Sequence, residues 1–348
     1  MTHFSQSVLE WYCKFGRKNL PWQKNKTDYT VWLSEIMLQQ TQVSTVIPYY
    51  IRFIKTFPNL IKLANAEQDI VLHLWSGLGY YSRAINLHKT AKIIQKEYNG
   101  QFPKNIKAIN ALPGIGRSTA GAIISSVYNK TYPILDGNIK RILTRCFAIK
   151  GWPGEKKIEN TLWKYAEKYT PQKNTDKYNQ AMMDIGAMIC TRAKPKCLLC
   201  PINQYCISYK KGNPLNYPSK KIKREKSVKK VYFTILQYKN LVWLEQRPTS
   251  GVWAGLFSFP EANNPKIESQ LDSYKISYKD ILQLTKLISF KHTFSHYQLY
   301  ITPSLVKLST LPIWKIEVHK GIWYDLLKPK KIGLATPIKY LLERLPCE

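Results

Sequence analysis

The chain has 348 residues, of which 44% are hydrophobic, enough for two domains with separate cores. No apolar run reaches bilayer length and the first twenty residues hold no uninterrupted apolar stretch, which argues against a membrane span or a signal peptide and for a soluble cytoplasmic protein. The formal net charge of +31 points to a polyanionic partner, most simply nucleic acid, with a discount because codon bias alone could make a sequence this rich in Lys, Ile and Asn.

From residue 1 to about 206 the pattern is helical. "DYTVWLSEIMLQQTQVSTVI" reads as one helix closed by Pro48, and "IPYYIRFIKTF" as another closed by Pro58. Winding residues 31–47 at about 100° per residue puts Val31, Trp32, Ile36, Leu38, Val43, Val46 and Ile47 on one apolar arc. Glu35 falls inside that arc, where an amphipathic helix normally holds no carboxylate. Either a buried cation pairs with it, or its carboxyl is kept dry for chemistry.

"LWSGLGYYSRAINLHK" carries a Gly-x-Gly break between two helical stretches. "LPGIGRSTAGA" (112–122) is a glycine turn that opens directly into a helix. Gly114 and Gly116 permit positive φ and the close approach of another backbone, and the free amides at Arg117–Thr119 suit a phosphate. With the preceding "NIKAINA" this is a helix–hairpin–helix pattern at about 106–128, which grips a DNA backbone without reading its sequence. In "YPILDGNIKRIL", Asp136 stands where a helix N-cap belongs and is also a second carboxylate for a site.

Cys190, Cys197, Cys200 and Cys206 follow the spacing C-x6-C-x2-C-x5-C within 17 residues. Without a secretory signal, such a group reads as a metal site before it reads as disulfides. Spacing alone allows a structural zinc or a four-cysteine iron–sulfur cluster. Cys13, Cys146 and Cys347 are isolated.

Residues 210–230 hold nine basic residues against one acidic, with two prolines, and read as a solvated linker. Beyond it the pattern turns to strands: "VYFTILQY", "NLVWLEQR", "LFSFP", "LISFKHTF" and "YQLYITPSLVKL", with "TPIKYLLERL" as a final helix. An all-α domain followed by a smaller α+β domain is expected.

The hairpin, the Asp136 segment and the cysteine spacing together resemble the endonuclease III superfamily of base-excision glycosylases. "PWQKNKTDYTVWLSEIMLQQTQVSTVIPYY", "LWSGLGYYSRAINLHK", "YPILDGN" and "NQAMMDIGAMICTRAKPKCLLCP" look closely like the adenine DNA glycosylases (the MutY family) over nearly the whole length. The resemblance implies a helical glycosylase domain over 1–209, with an iron–sulfur loop at 190–206. A linker at 210–229 and a Nudix-like α+β domain over 230–348 follow.

It implies Glu35 as the general acid that protonates a flipped adenine, a role that an apolar setting serves by raising the carboxyl pKa. It implies Asp136 as stabiliser of the oxocarbenium-like sugar, with Asn138 orienting the site. Bifunctional relatives carry a Schiff-base lysine where this chain has Ser118, and a hydroxyl cannot form an imine, so a monofunctional enzyme is expected. Gln40 would fill space in the duplex, Leu78 and Tyr80 would approach the base opposite adenine, and Phe294, Ser295 and His296 would sense 8-oxoguanine there. Trp22 and Gln180 match the pocket region less decisively.

The four cysteines would hold one [4Fe-4S] cluster. The partner would be duplex DNA carrying adenine opposite 8-oxoguanine or guanine, bound by a monomer. "GVWAGLFSFPE" resembles the start of a Nudix signature with Gly255-x5-Glu261, yet Ser269-Gln270 and Ser273-Tyr274 replace its carboxylate pairs, so nucleotide hydrolysis is not expected. The rivals are an endonuclease III-like enzyme for oxidised pyrimidines and a non-catalytic DNA-binding protein.

Overall fold

A computed structural model describes residues 1–221, 225–312 and 320–347. The first part is helical, as expected: α1 (His3–Phe15), α2 (Asp28–Leu38), α3 (Val43–Thr56), α4 (Leu60–Ala64), α5 (Gln68–Trp75) and α6 (Ser82–Glu97). α7 (Ile106–Ala111), α8 (Arg117–Tyr128), α9 (Gly137–Cys146), α10 (Lys156–Tyr169), α11 (Thr175–Met188) and the single turn α12 (Ile207–Lys210) complete it. The expected long helix ending at Pro48 is instead two. The chain breaks at 39–42, where Gln40 takes φ +59°, and Pro48 lies inside α3, where it forgoes one hydrogen bond.

The chain folds into two compact units. The first holds Met1–Asn65 and the chain from Asn86 to the linker; the second holds Ala66–Ile85 with the chain beyond the linker. In the first unit, Phe4, Val8, Ile139, Leu143, Leu162, Tyr178, Ile185 and Ile202 form a buried core among α1, α9, α10 and α11. Each such aliphatic or aromatic side chain removed from water contributes about 1.5–3 kcal/mol. Within the expected linker, two residues are tied to the first unit. Arg145 Nε donates to Tyr217 O (3.0 Å), and Gly151 N to the Ser219 hydroxyl (3.2 Å). Linker residues 222–224 lie outside the described residues.

The second unit is built on one mixed sheet. Its strands are β1 (Ser227–Tyr238), β2 (Leu241–Gln246), β3 (Phe257–Ser258), β4 (Glu261–Ala262), β5 (Ile281–Lys286), β6 (Phe290–Thr293), β7 (Tyr297–Leu308) and β8 (Gly321–Asp325). The path β3-β2-β1-β7-β5 is completed by β8 on β2, β4 on β1 and β6 on β7. β1 and β7 run parallel, Ser227 opposite Tyr297 through Gln237 opposite Lys307. Helices α13 (Ile267–Ser273) and α14 (Thr336–Leu342) complete the unit, and Leu236, Trp243, Leu271, Val306 and Leu308 form a core cluster in it.

Residues 66–85 belong here because their side chains satisfy the backbone of 332–334. The Tyr81 hydroxyl donates to Leu334 O (3.1 Å), Leu334 N donates to the Ser76 hydroxyl (3.3 Å), and His73 Nδ1 lies 3.3 Å from Ile332 O.

Candidate active site and lesion-reading turn

In the first unit an open cleft of about 1050 Å³ has Glu35 from α2 and Asp136 from the start of α9 in its wall. Among the described residues no cation pairs with Glu35. Burial, and then the neighbouring charge of Asp136, push its pKa up to about 7. That value suits a group that must hold a proton near neutrality and release it during a reaction.

Asp136 has two jobs at once. Its Oδ1 accepts the amide of Ile139 (2.8 Å), capping α9 as the sequence predicts, while Oδ2 accepts from Asn138 Nδ2 (3.0 Å). Burial still raises its pKa, against those hydrogen bonds. Asn138 is fixed from its other end: Oδ1 accepts from Arg141 Nη2 (2.9 Å), and Arg141 also donates to the carbonyls of Gly186 (2.7 Å) and Cys190 (2.8 Å). The carboxylate, the amide and the guanidinium thus form one oriented chain.

Trp22 and Gln180, the two weaker matches, also line the cleft. Sequence reasoning missed Arg17 and Asp184. Asp184 is fully buried on α11 and accepts from Arg17 N (2.7 Å), Arg17 Nε (2.9 Å) and Gln180 Nε2 (2.8 Å), with Arg17 Nη2 at 2.7 Å. The one local signal was an acid on the apolar face of "NQAMMDIGAM", the same anomaly that marks Glu35.

The hairpin joins α7 to α8 through Leu112–Gly116. Gly114 takes φ +77°, as expected. Gly116 does not: it caps α8 at φ −91°, and its value lies in space, because a Cβ there would meet nothing within 4 Å. No side chain caps α8, so its first amides stay available. Gln39 Nε2 donates to Gly114 O (3.3 Å), tying the end of α2 to this turn and leaving Gln40 exposed beside it in sequence. Ser118 is half-buried, and its hydroxyl accepts the amide of Leu135 (3.0 Å) in the segment leading to Asp136.

Cys190, Cys197, Cys200 and Cys206 all line one small cavity, together with Cys146 and apolar neighbours such as Ile142 and Ile202. Arg145 Nη1 donates to Cys190 Sγ (3.3 Å). Among the described residues no three His, Cys, Asp or Glu side chains converge as ligands of a single ion.

In the second unit the β6–β7 connection is the turn Phe294–His296. Ser295 and His296 are exposed and Phe294 is half-buried. The Tyr80 hydroxyl reaches Ser295 Oγ (3.3 Å), so two separately predicted contacts meet here. Tyr80 is 47% exposed on a turn with Gly77, Gly79 and Tyr80 all at positive φ. Leu78 is buried, so its expected approach to a base has no exposed surface behind it.

Residues 33–168 match the HhH-GPD superfamily base excision DNA repair protein family, and residues 231–344 match the NUDIX domain. The chain is 50% identical to the adenine DNA glycosylase of Buchnera aphidicola subsp. Acyrthosiphon pisum, over 98% of this chain and 97% of that protein. It is 31% identical to the Homo sapiens adenine DNA glycosylase over 86% of this chain and 67% of the human protein. The fold is similar to that of a thermostable thymine-DNA glycosylase (TM-score 0.55, 27% identity, 60% of this chain and 95% of that one). Endonuclease III in a non-covalent DNA complex shares the fold at TM-score 0.52 and 18% identity, over 60% of this chain and 94% of that one. With its two carboxylates on one cleft, its helix–hairpin–helix and its Nudix-like sheet, the chain belongs to the adenine DNA glycosylases.

Proposed function

We propose that the enzyme excises adenine opposite 8-oxoguanine, or opposite guanine, from duplex DNA and leaves an abasic site without cutting the strand. The observation that carries this reading is the pairing of Glu35, its pKa near 7, with Asp136 on a single cleft. Glu35 protonates the extruded adenine and makes it a leaving group. Asp136 stabilises the positive charge that develops on the sugar, and Asn138 holds the Asp136 carboxylate toward it. Glu35, now ionised, then takes a proton from the attacking water. Extruding the base from the stack is supported by the exposed Gln40 at the cleft.

The hairpin glycines and the free amides of α8 hold the DNA backbone, and the exposed tip of the 294–296 turn, with Tyr80, reads the base opposite adenine. Ser118 offers no amine for an imine, so no covalent lyase step follows. Cys190, Cys197, Cys200 and Cys206 would hold one [4Fe-4S] cluster, which orders their basic loop; the four-thiol cavity and the Arg145 donor fit it.

The test uses a labelled duplex with adenine opposite 8-oxoguanine and an adenine·thymine control, scored for breaks before and after hot alkali. Breaks only after alkali, and only in the mispaired duplex, are expected. Breaks without alkali would mean a lyase nucleophile, and no breaks despite tight binding would reduce Glu35 to a structural group.

A further inference from the structure

We propose that Trp253, held by the Arg247–Glu261 ion pair, is a positioning residue for the 294–296 turn and sets discrimination between 8-oxoguanine and guanine opposite adenine. The proposal rests on the lesion-reading role given above to that turn.

The surviving part of the Nudix signature has no metal-binding work in this chain. Its carboxylate, Glu261, is committed to Arg247 and to the Ser258 hydroxyl (3.2 Å). The positions where a hydrolase would carry carboxylates are likewise in packing contacts: Gln270 accepts from the Thr234 hydroxyl, and the Tyr274 hydroxyl donates to Glu245 (2.6 Å). What remains is a rigid corner. Arg247 Nε donates to Val252 O (3.0 Å), and its guanidinium lies 5.7 Å from the Trp253 ring centre.

That corner points at the turn. Trp253 is 8% exposed and sits at φ +55°, a conformation a bulky side chain adopts only where its surroundings impose it. Its ring lies 5.4 Å from Phe294 and 5.7 Å from His292. His292 meets Phe294 edge-on at 4.7 Å, and Phe294 stacks on Tyr297 at 4.6 Å. Burial lowers the His292 pKa. Phe294 is therefore gripped on several sides while Ser295 and His296 stay exposed at the tip. A reader that must sense one extra oxo group and one extra N–H on a purine needs its polar tip fixed to a fraction of an ångström. An aromatic floor fixed by a charge pair supplies that rigidity.

The experiment compares the full-length enzyme with Trp253→Ala, Trp253→Phe and Glu261→Gln on duplexes carrying adenine opposite 8-oxoguanine or opposite guanine. The readouts are kcat/KM for both and the maximal single-turnover rate. Trp253→Ala is expected to lower the ratio of the two kcat/KM values by about tenfold to a hundredfold while the maximal rate on saturated enzyme stays within about twofold. Trp253→Phe should recover most of the ratio, and Glu261→Gln should fall between. If Trp253→Ala does not fold, the Phe and Gln variants carry the same comparison. Equal losses on both duplexes, or an unchanged ratio in every variant, would overturn the proposal. A wild-type enzyme with no preference between the two duplexes would overturn the lesion-reading role itself, and the proposal with it, before any variant is made.

Discussion

Glu35 and Asp136 come from helices a hundred residues apart in sequence, yet they share one cleft closely enough that the charge of Asp136 adds to burial in holding the Glu35 proton. Glu35→Gln removes that proton and should reduce excision by about 10²–10⁴-fold with duplex binding retained. In the wild type the single-turnover rate should be flat on the acid side and fall as pH rises through about 7, because the role proposed for Glu35 needs its acid form. Stability follows with the same sign. The folded-state pKa lies above the ordinary carboxyl value of 4.5, so the folded chain holds the extra proton between the two values and loses stability as pH rises across them. Glu35→Gln should therefore raise Tm above pH 7, and thermal melts at pH 5 and pH 8 check it.

Asp136 separates a structural from a chemical role. Asn caps helices about as well as Asp, so Asp136→Asn should keep the cap and lose only the hydrogen bond from Asn138, about 1 kcal/mol. The cap of α9 through Ile139 would survive. The negative charge would not, and excision should drop by about 10²–10³-fold. Asp136→Ala adds a capping loss of about 1 kcal/mol. Comparing urea midpoints with single-turnover rates for the two variants divides the residue's two jobs.

The hairpin glycines give a second division. Gly114 is at φ +77°, and a methyl group added there would lie only 3.0 Å from Asn86 Cβ, so Gly114→Ala should destabilise the fold by about 1–2 kcal/mol. Gly116 is at an ordinary φ with open space around it, so Gly116→Ala should leave stability within about 0.5 kcal/mol. If a DNA backbone occupies that space, Gly116→Ala should still weaken duplex affinity, measured by fluorescence anisotropy. An unchanged affinity would remove Gly116 from the interface.

The legible features were the local ones. The Asp136 cap, the Gly-x-Gly turn and the helix–hairpin–helix each express a conformational preference of a few adjacent residues, and each is present. The α2–α3 break was hidden because Gln39-Gln40-Thr41-Gln42 contains no Gly or Pro, and Gln40 reaches φ +59° only in its tertiary setting. Strand β5 was missed because its burial pattern has almost no buried face to alternate with, and α13 is too short to show a period. The membership of 66–85 in the second unit depends on hydrogen bonds to a segment some 250 residues away, which no window of sequence can display.

The same distance hid Arg17 and Asp184, 167 residues apart. Asp184 is fully buried, and all its hydrogen-bonding capacity is committed to Arg17 and Gln180, both of which line the cleft. Removing one partner strands the other: Asp184→Leu should destabilise the first unit by about 3–5 kcal/mol. Replacing both, Arg17→Met with Asp184→Leu, removes the uncompensated charge and should recover most of that stability. The double variant would still lack the Arg17 guanidinium and the carboxylate that tethers Gln180 Nε2 in the cleft. It should therefore melt near the wild type and yet show a raised KM for the mispaired duplex. A double variant that recovered stability and wild-type KM together would make the pair purely structural; one that recovered neither would show that Asp184 anchors α11 through more than its charge.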